Sequence, residues 1–157
     1  YADYFTQTVA HVRINHAWCR ENPDGHAGYG DACWGLTASD DPDGYVAHAP
    51  DVDTGTISPT AALSSFPYAP ELAMKALRHF LAGKPETWGR YGFVDAFCED
   101  RGWVADTHLA IDQGPIVAMI ENYRSGLLWR LFMGDPDVQA GLGRLGFESP
   151  HLTVPGT

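Results

Sequence analysis

The stretch IDQGPIVAMIENYRSGLLWRLF, residues 111–132, reads as two helices with a break between them. Asp112 stands before Gln113-Gly114-Pro115, and a helix is expected from there to about Tyr123. Ser125 or Gly126 interrupts it, and Leu127–Met133 forms a further apolar helix. Asp135-Pro136 then opens the last helix, which ends near Gly146. Connections this short predict helix hairpins, so the C-terminal third is helical.

The same reading extends upstream. Phe5, Val9, Val12, His16 and Cys19 fall three and four residues apart, which predicts a helix over about Tyr4–Arg20 with one buried face. Asn22-Pro23-Asp24-Gly25 stops it. A short helix is expected from Ser58-Pro59-Thr60 to about Ser65, with Ser58 as its cap. A longer one runs from Pro70 to Gly83 on a stripe of Leu72, Ala76, Leu77, Phe80 and Leu81. Between these helices lie two segments without a helical period, residues 26–57 and 88–108. The first is acidic and glycine-rich and is expected to hold short strands such as Val46–His48. The second carries Trp88, Tyr91, Phe93, Phe97 and Trp103. Loops of that length inside a domain are usually functional. The expected class is all-α: helix hairpins forming part of an α/α toroid, with long aromatic-acidic loops building a site at one end.

Composition narrows the partners. The 157 residues include 20 acidic and 10 basic side chains, for a formal net charge of −10. Two lysines and eight scattered arginines make no basic stripe, which argues against nucleic acid. No apolar run approaches the roughly 18 residues of a membrane span. Cys19, Cys33 and Cys98 have no CxxC spacing, so neither zinc nor a disulfide framework is indicated. Length and composition fit one folded domain.

Asp112 is the leading carboxylate. Locally it can be a plain N-cap, its side chain accepting first-turn N–H groups. It can also be a general base, its ionised form favoured by the helix N-terminus. Capping does not exclude that role. Trp34 and Asp40 pair a flat apolar face with a hydrogen-bond acceptor, as sugar sites do. The pairing recurs at Tyr91 with Asp95, and at Asn122-Tyr123-Arg124. These are candidate substrate residues, with packing under a loop as the alternative. Asp40-Asp41-Pro42-Asp43-Gly44 and Asp51-Val52-Asp53-Thr54-Gly55 look like calcium-loop fragments. Position twelve from Asp51 is Ala62 rather than Glu, so they read as solvated acidic loops and no metal is expected. HExxH, GxSxG, GxGxxG and P-loop strings are absent, and no cofactor is expected.

Taken as strings, WGLTASD at 34–40, GTISPTAALSSFPYAPEL at 55–72, WGRYGFVDAF at 88–97, residues 111–132 and RLGFESPHL at 144–152 resemble the glucoamylase-type domain. That group includes the endo-β-1,2-glucanases of glycoside hydrolase family 144, and related domains occur in cyclic β-1,2-glucan synthases. The resemblance implies an (α/α)6 toroid and inverting hydrolysis of a β-glucan, β-1,2-glucan in particular. It also implies a periplasmic or secreted location. Residues 1–157 would form the C-terminal portion of one such domain, the N-terminal portion being absent. The family's general base falls on Asp112, and its proton donor lies in the missing portion. Trp34, Asp40, Tyr91, Asp95 and Arg124 would line the sugar cleft. Phe97-Cys98-Glu99-Asp100 and Ala110 depart from the family pattern. The alternatives are a transglycosylase domain of a cyclic glucan synthase and a non-catalytic glucan-binding module.

Overall fold

Helix α1 (Tyr4–Glu21) begins where the Asp3 carboxylate accepts the Thr6 N–H at 3.0 Å. It ends where Asn22 turns left-handed at φ 47° and donates its N–H to the Trp18 carbonyl at 2.8 Å. Val12, His16 and Cys19 form its buried face, as the spacing predicts, whereas Phe5, expected on that face, is exposed near the helix start. Asn15 holds the next segment to the helix. Its amide donates to the Leu36 carbonyl at 2.8 Å and accepts the Leu36 N–H at 3.0 Å.

The computed structural model describes residues 2–152, which divide into two compact units, the first running to Ile120 and the second starting at Glu121. In the first unit the aperiodic segments fold as short antiparallel strands. β1 (Ala38–Asp41) pairs with β2 (Gly44–Ala47), Asp41 opposite Gly44 across Pro42-Asp43. β3 (Thr56–Ile57) leads into α2 (Pro59–Leu63) and α3 (Pro70–Gly83). β4 (Trp88–Gly89) pairs with β5 (Gly92–Phe93). β6 (Phe97–Cys98) lies between β3 and β7 (Trp103–Val104) in a three-stranded sheet. The described residues are thus mostly helical, with seven short strands among them. A strand of two to four residues is too short to show a period in sequence, and only β2 is expected, as Val46–His48 in place of Gly44–Ala47.

The core of this unit centres on α3. Phe80 has 0 % exposure and meets Phe93 and Phe97 edge-on, with centroids 5.9 and 5.8 Å apart. Ala73 and Ala76 bring α3 close to its neighbours. Leu81, expected in the stripe, is instead half-exposed. Ser58 precedes α2 but its side chain makes no capping bond; its N–H goes to the Gly35 carbonyl at 2.9 Å. Gly35 permits that approach, because a Cβ there would sit 2.6 Å from the Ser58 carbonyl oxygen. Cys19, Cys33 and Cys98 are free and buried. Burial pushes the first two thiols up to about 12.

Helix α4 (Ala110–Ser125) starts two residues before Asp112 and carries Pro115 inside it, not at its first position. The ring costs only the bond to the Ile111 carbonyl, near the helix start. In the second unit, Asp135 caps α6 (Pro136–Arg144) by accepting the Asp137 and Val138 N–H groups. α5 (Leu127–Met133) has no buried residue, and Leu131 and Phe132 are well exposed.

Truncating Phe80 to Ala opens a cavity beside the Phe93 and Phe97 rings. Phe80→Ala is expected to lose about 3–5 kcal/mol of stability in urea unfolding followed by tryptophan fluorescence. The exposed apolar face of α5 exceeds what single scattered residues would present. The isolated 157-residue chain is expected to self-associate in light scattering, and Leu131→Lys with Phe132→Glu to shift it toward monomer.

Candidate active site

Three aspartates from three elements converge in the first unit. Asp112 lies in the first turn of α4, which is pinned from two sides. Thr60 of α2 donates its hydroxyl to the Asp112 carbonyl at 2.7 Å, and the Gln113 amide donates to the Phe93 carbonyl at 2.7 Å. Gly92, at φ +108°, lets the β4–β5 turn approach; a Cβ there would meet the Gln113 side-chain oxygen at 2.9 Å.

Asp95 follows β5. Its N–H donates to the Thr107 carbonyl at 3.1 Å, and the Ala105 N–H to the Ala96 carbonyl at 3.0 Å, extending the β6–β7 pairing. Its Oδ2 accepts the Asp40 N–H at 2.7 Å. Thr107 in turn donates its hydroxyl to the Asp40 carboxylate. Asp95 is 1 % and Asp112 7 % exposed, while Asp40 is half-buried.

Asp112 thus neither caps α4 nor stays easily ionised. Burial, the Asp95 carboxyl and the charge of Asp40 raise it to about 7. The helix terminus acts the other way but is worth only about 0.3–1 kcal/mol, less than one pKa unit. The contribution of burial and two like charges is larger.

Of the predicted substrate residues, Asp40 and Asp95 join Asp112, and the others fall elsewhere. Trp34 is fully buried and meets the His16 ring edge-on at 5.4 Å. It offers no face to a sugar, because the core under α1 needs its volume. Asp95 is likewise sealed, so its carboxyl answers the Asp40 N–H rather than a ligand. Arg124 lies in the second unit and pairs with Glu121 at 2.9 Å. Neighbouring Asn122 accepts the Leu128 and Trp129 N–H groups, tying down the start of α5. Tyr91 is 65 % exposed, with Arg90 over its ring at 5.2 Å and His108 edge-on at 5.7 Å. Trp88, also exposed, stands edge-on to Phe93 at 4.8 Å. The β4–β5 turn therefore carries two aromatic faces and is tied to Gln113, the residue after Asp112. Thr107 and Gln113 went unnoticed as site residues because their roles arise from pairings more than ten residues apart.

In the acidic loops Asp43 and Asp51 are exposed, as expected, while Asp41 and Asp53 are held by hydrogen bonds. Asp41 accepts the Asp43 N–H at 3.0 Å and the Thr54 and Thr56 hydroxyls at 2.7 and 2.9 Å. Asp53 accepts from Trp18, Tyr29 and the Gly55 N–H at 2.7, 2.7 and 3.0 Å. Among the described residues, Asp24, His26 and Asp53 bring possible metal-ligand atoms within 4.8 Å of one another. The Asp53 oxygens are already taken by these donors, and His26 Nδ1 by Asp100 at 2.7 Å. Glu99 pairs with Lys84 at 2.7 Å, so the departures at Glu99 and Asp100 serve loop anchoring. Cavities of about 370 and 590 Å³ lie elsewhere, one lined by His11, Asn15, Leu36 and His48, the other by Trp129, Arg130 and Met133. Asp112 lines neither.

The family model Glycoamylase, described as "Putative glucoamylase", matches residues 1–136. The chain belongs to this family. An exo β-1,2-glucooligosaccharide sophorohydrolase (non-reducing end) of Parabacteroides distasonis is 47 % identical over 148 residues. That alignment covers 92 % of the chain and 20 % of the relative. The endo-β-1,2-glucanase of Chitinophaga pinensis, crystallised with sophorotriose and glucose, is 55 % identical with TM-score 0.95. It matches 97 % of this chain over 37 % of its own. A crystal structure of a putative glucoamylase from Bacteroides uniformis is 59 % identical, with TM-score 0.96 and coverage of 98 % and 37 %. The chain thus spans about a fifth to two fifths of these Glycoamylase relatives. No helix among the described residues is long and apolar enough to cross a membrane.

Unfolded, Asp112 sheds its proton near 3.8; folded, it keeps it to about 7. Between those values the folded state binds the extra proton, so this group's contribution to stability is present at low pH and lost as pH rises through 7. Asp112→Asn removes the dependence. Thermal melts should show the variant gaining on the wild type from about pH 4 to 7, with no further gain above.

Proposed function

We propose that this chain is the C-terminal catalytic portion of an inverting β-1,2-glucan hydrolase, with Asp112 as the general base. The observation that carries the reading is the carboxylate cluster at the start of α4. It occurs in a chain 55 % identical to an endo-β-1,2-glucanase crystallised with sophorotriose. The shared linkage in the names of the endo- and exo-acting relatives supports β-1,2-glucan as the substrate class.

In an inverting hydrolase one carboxyl protonates the leaving oxygen, and another removes a proton from water on the opposite face of the sugar. The two stand roughly 6.5–9.5 Å apart. A base is most effective with a pKa near the working pH, which fits a carboxyl raised to about 7. The acid belongs to a portion outside this chain, and the helices belong to an (α/α)6 toroid completed by it. A neutral, polyhydroxylated ligand suits an acidic chain whose exposed aromatics, Tyr91 and Trp88, flank the cluster's loop. Secretion or export to the periplasm places such an enzyme with its polymer.

The test is reducing-sugar release from β-1,2-glucan by the complete protein that carries this chain. Asp112→Asn is expected to lower the rate by about 10²–10⁴-fold, and the isolated 157 residues to release negligible sugar. Retained hydrolysis in Asp112→Asn overturns the base assignment. Binding without hydrolysis by the complete protein favours a glucan-binding module, and transfer to sugar acceptors in place of water favours a transglycosylase.

A further inference from the structure

The turn that carries Asp112 is poorly held by its own helix. Gly114 leaves its backbone free, and Pro115 removes the N–H that would bond the Ile111 carbonyl. The Asp112 and Gln113 N–H groups both fall on the Leu109 carbonyl at 3.0 Å. Nor is the carboxyl steered directly, since Asp112 Oδ2 is sealed from solvent and accepts no hydrogen bond. Its position is therefore decided by whatever holds the backbone beneath it. Two side chains do so, each against a rigid post. A helical threonine can turn its hydroxyl back onto its own backbone; Thr60 instead gives it, at 2.7 Å, to the Asp112 carbonyl 52 positions away. Thr60 is buried on α2 beside the equally buried Pro59, Ala62 and Leu63. The Gln113 amide reaches the Phe93 carbonyl at 2.7 Å. Phe93 is buried in turn, its ring edge-on to Phe80 and Trp88 at 5.9 and 4.8 Å.

We propose that Thr60 and Gln113 are positioning residues for Asp112, a two-point clamp that holds its carboxyl where it meets the attacking water. This rests on the reading of Asp112 as the base. A base must stand within hydrogen-bond reach of the proton it removes, and a misplacement of about 1 Å can cost about 10²-fold in rate. One bond alone leaves the turn a pivot, and the second removes it. Neither side chain has to touch sugar or water to act in this way. The Gln113 bond does more than steady the helix. It ends on β5, so it also fixes the separation between the base and the turn that exposes Trp88 and Tyr91. Gly92 keeps that bond possible, because a Cβ there would stand 2.9 Å from Gln113 Oε1.

The test compares Thr60→Val, Thr60→Ser and Gln113→Leu in the complete protein. Valine keeps the shape of threonine without its hydroxyl, and serine keeps the hydroxyl without the methyl group. Thr60→Val and Gln113→Leu are each expected to lower kcat on β-1,2-glucan by about tenfold or more, with KM within about twofold of wild type. Thr60→Ser should recover most of the loss. Hydrogen exchange followed by mass spectrometry reads the turn without reference to activity. Peptides covering residues 110–118 should exchange about tenfold faster in Thr60→Val and Gln113→Leu, and those covering α3 at the wild-type rate. Unchanged kcat in both variants overturns the proposal, as does a tenfold rise in KM at constant kcat, which would mark a sugar ligand. Faster exchange throughout the first unit overturns it too, since the two bonds would then be general struts of the fold. Asp112→Asn separates the clamp from the reading beneath it. If that variant still hydrolyses glucan, the base assignment itself fails; if it is inactive while Thr60→Val and Gln113→Leu keep wild-type kcat, the base stands and the clamp falls.

Discussion

Strands of two to four residues cannot satisfy their own backbone groups, and the first unit is built around that constraint. A buried N–H or hydroxyl without a partner costs about 1–3 kcal/mol, so each irregular turn must find an acceptor. Here the acceptors are aspartates. Asp41 serves one N–H and two hydroxyls, Asp53 serves a tryptophan, a tyrosine and an N–H, and Asp95 serves the Asp40 N–H. Asp100 ties the β6–β7 turn back to His26 and the Ala27 N–H. The acidic composition is largely structural in this unit.

Catalytic potential grows out of the same device. Asp41 and Asp100 are held below the ordinary carboxylate range by the hydrogen bonds they accept. Asp112 is the exception, with no donor on its buried oxygen and two like charges nearby. A group that could have been an ordinary cap becomes a titrating one through its neighbours alone.

The helices were legible because each announces itself locally. The apolar spacing of α1, Pro70 before α3, Ser125-Gly126 between α4 and α5, and Asp135-Pro136 before α6 each involve residues within one or two turns. The strands were not, since Thr56-Ile57 and Phe97-Cys98 acquire meaning only when paired some forty residues apart. Asp112 could be singled out by its place near a helix start, though α4 begins at Ala110, ahead of Asp112, and carries Pro115 inside it. Asp40 and Asp95 were picked for a sugar and joined the site for another reason. Trp34 was misjudged because a tryptophan beside an aspartate reads the same whether its ring packs inward or faces a ligand. Only burial separates the two.

Strand β1 places neighbouring aspartates on opposite duties, Asp40 toward Thr107 and Asp41 toward Thr54 and Thr56. Because side chains alternate along a strand, gaining or losing a single residue in this hairpin would exchange the two, sending the anchoring group to the side facing Thr107 and stranding the hydroxyls. Natural drift in this protein can therefore alter which amino acids line the hairpin far more easily than how many there are.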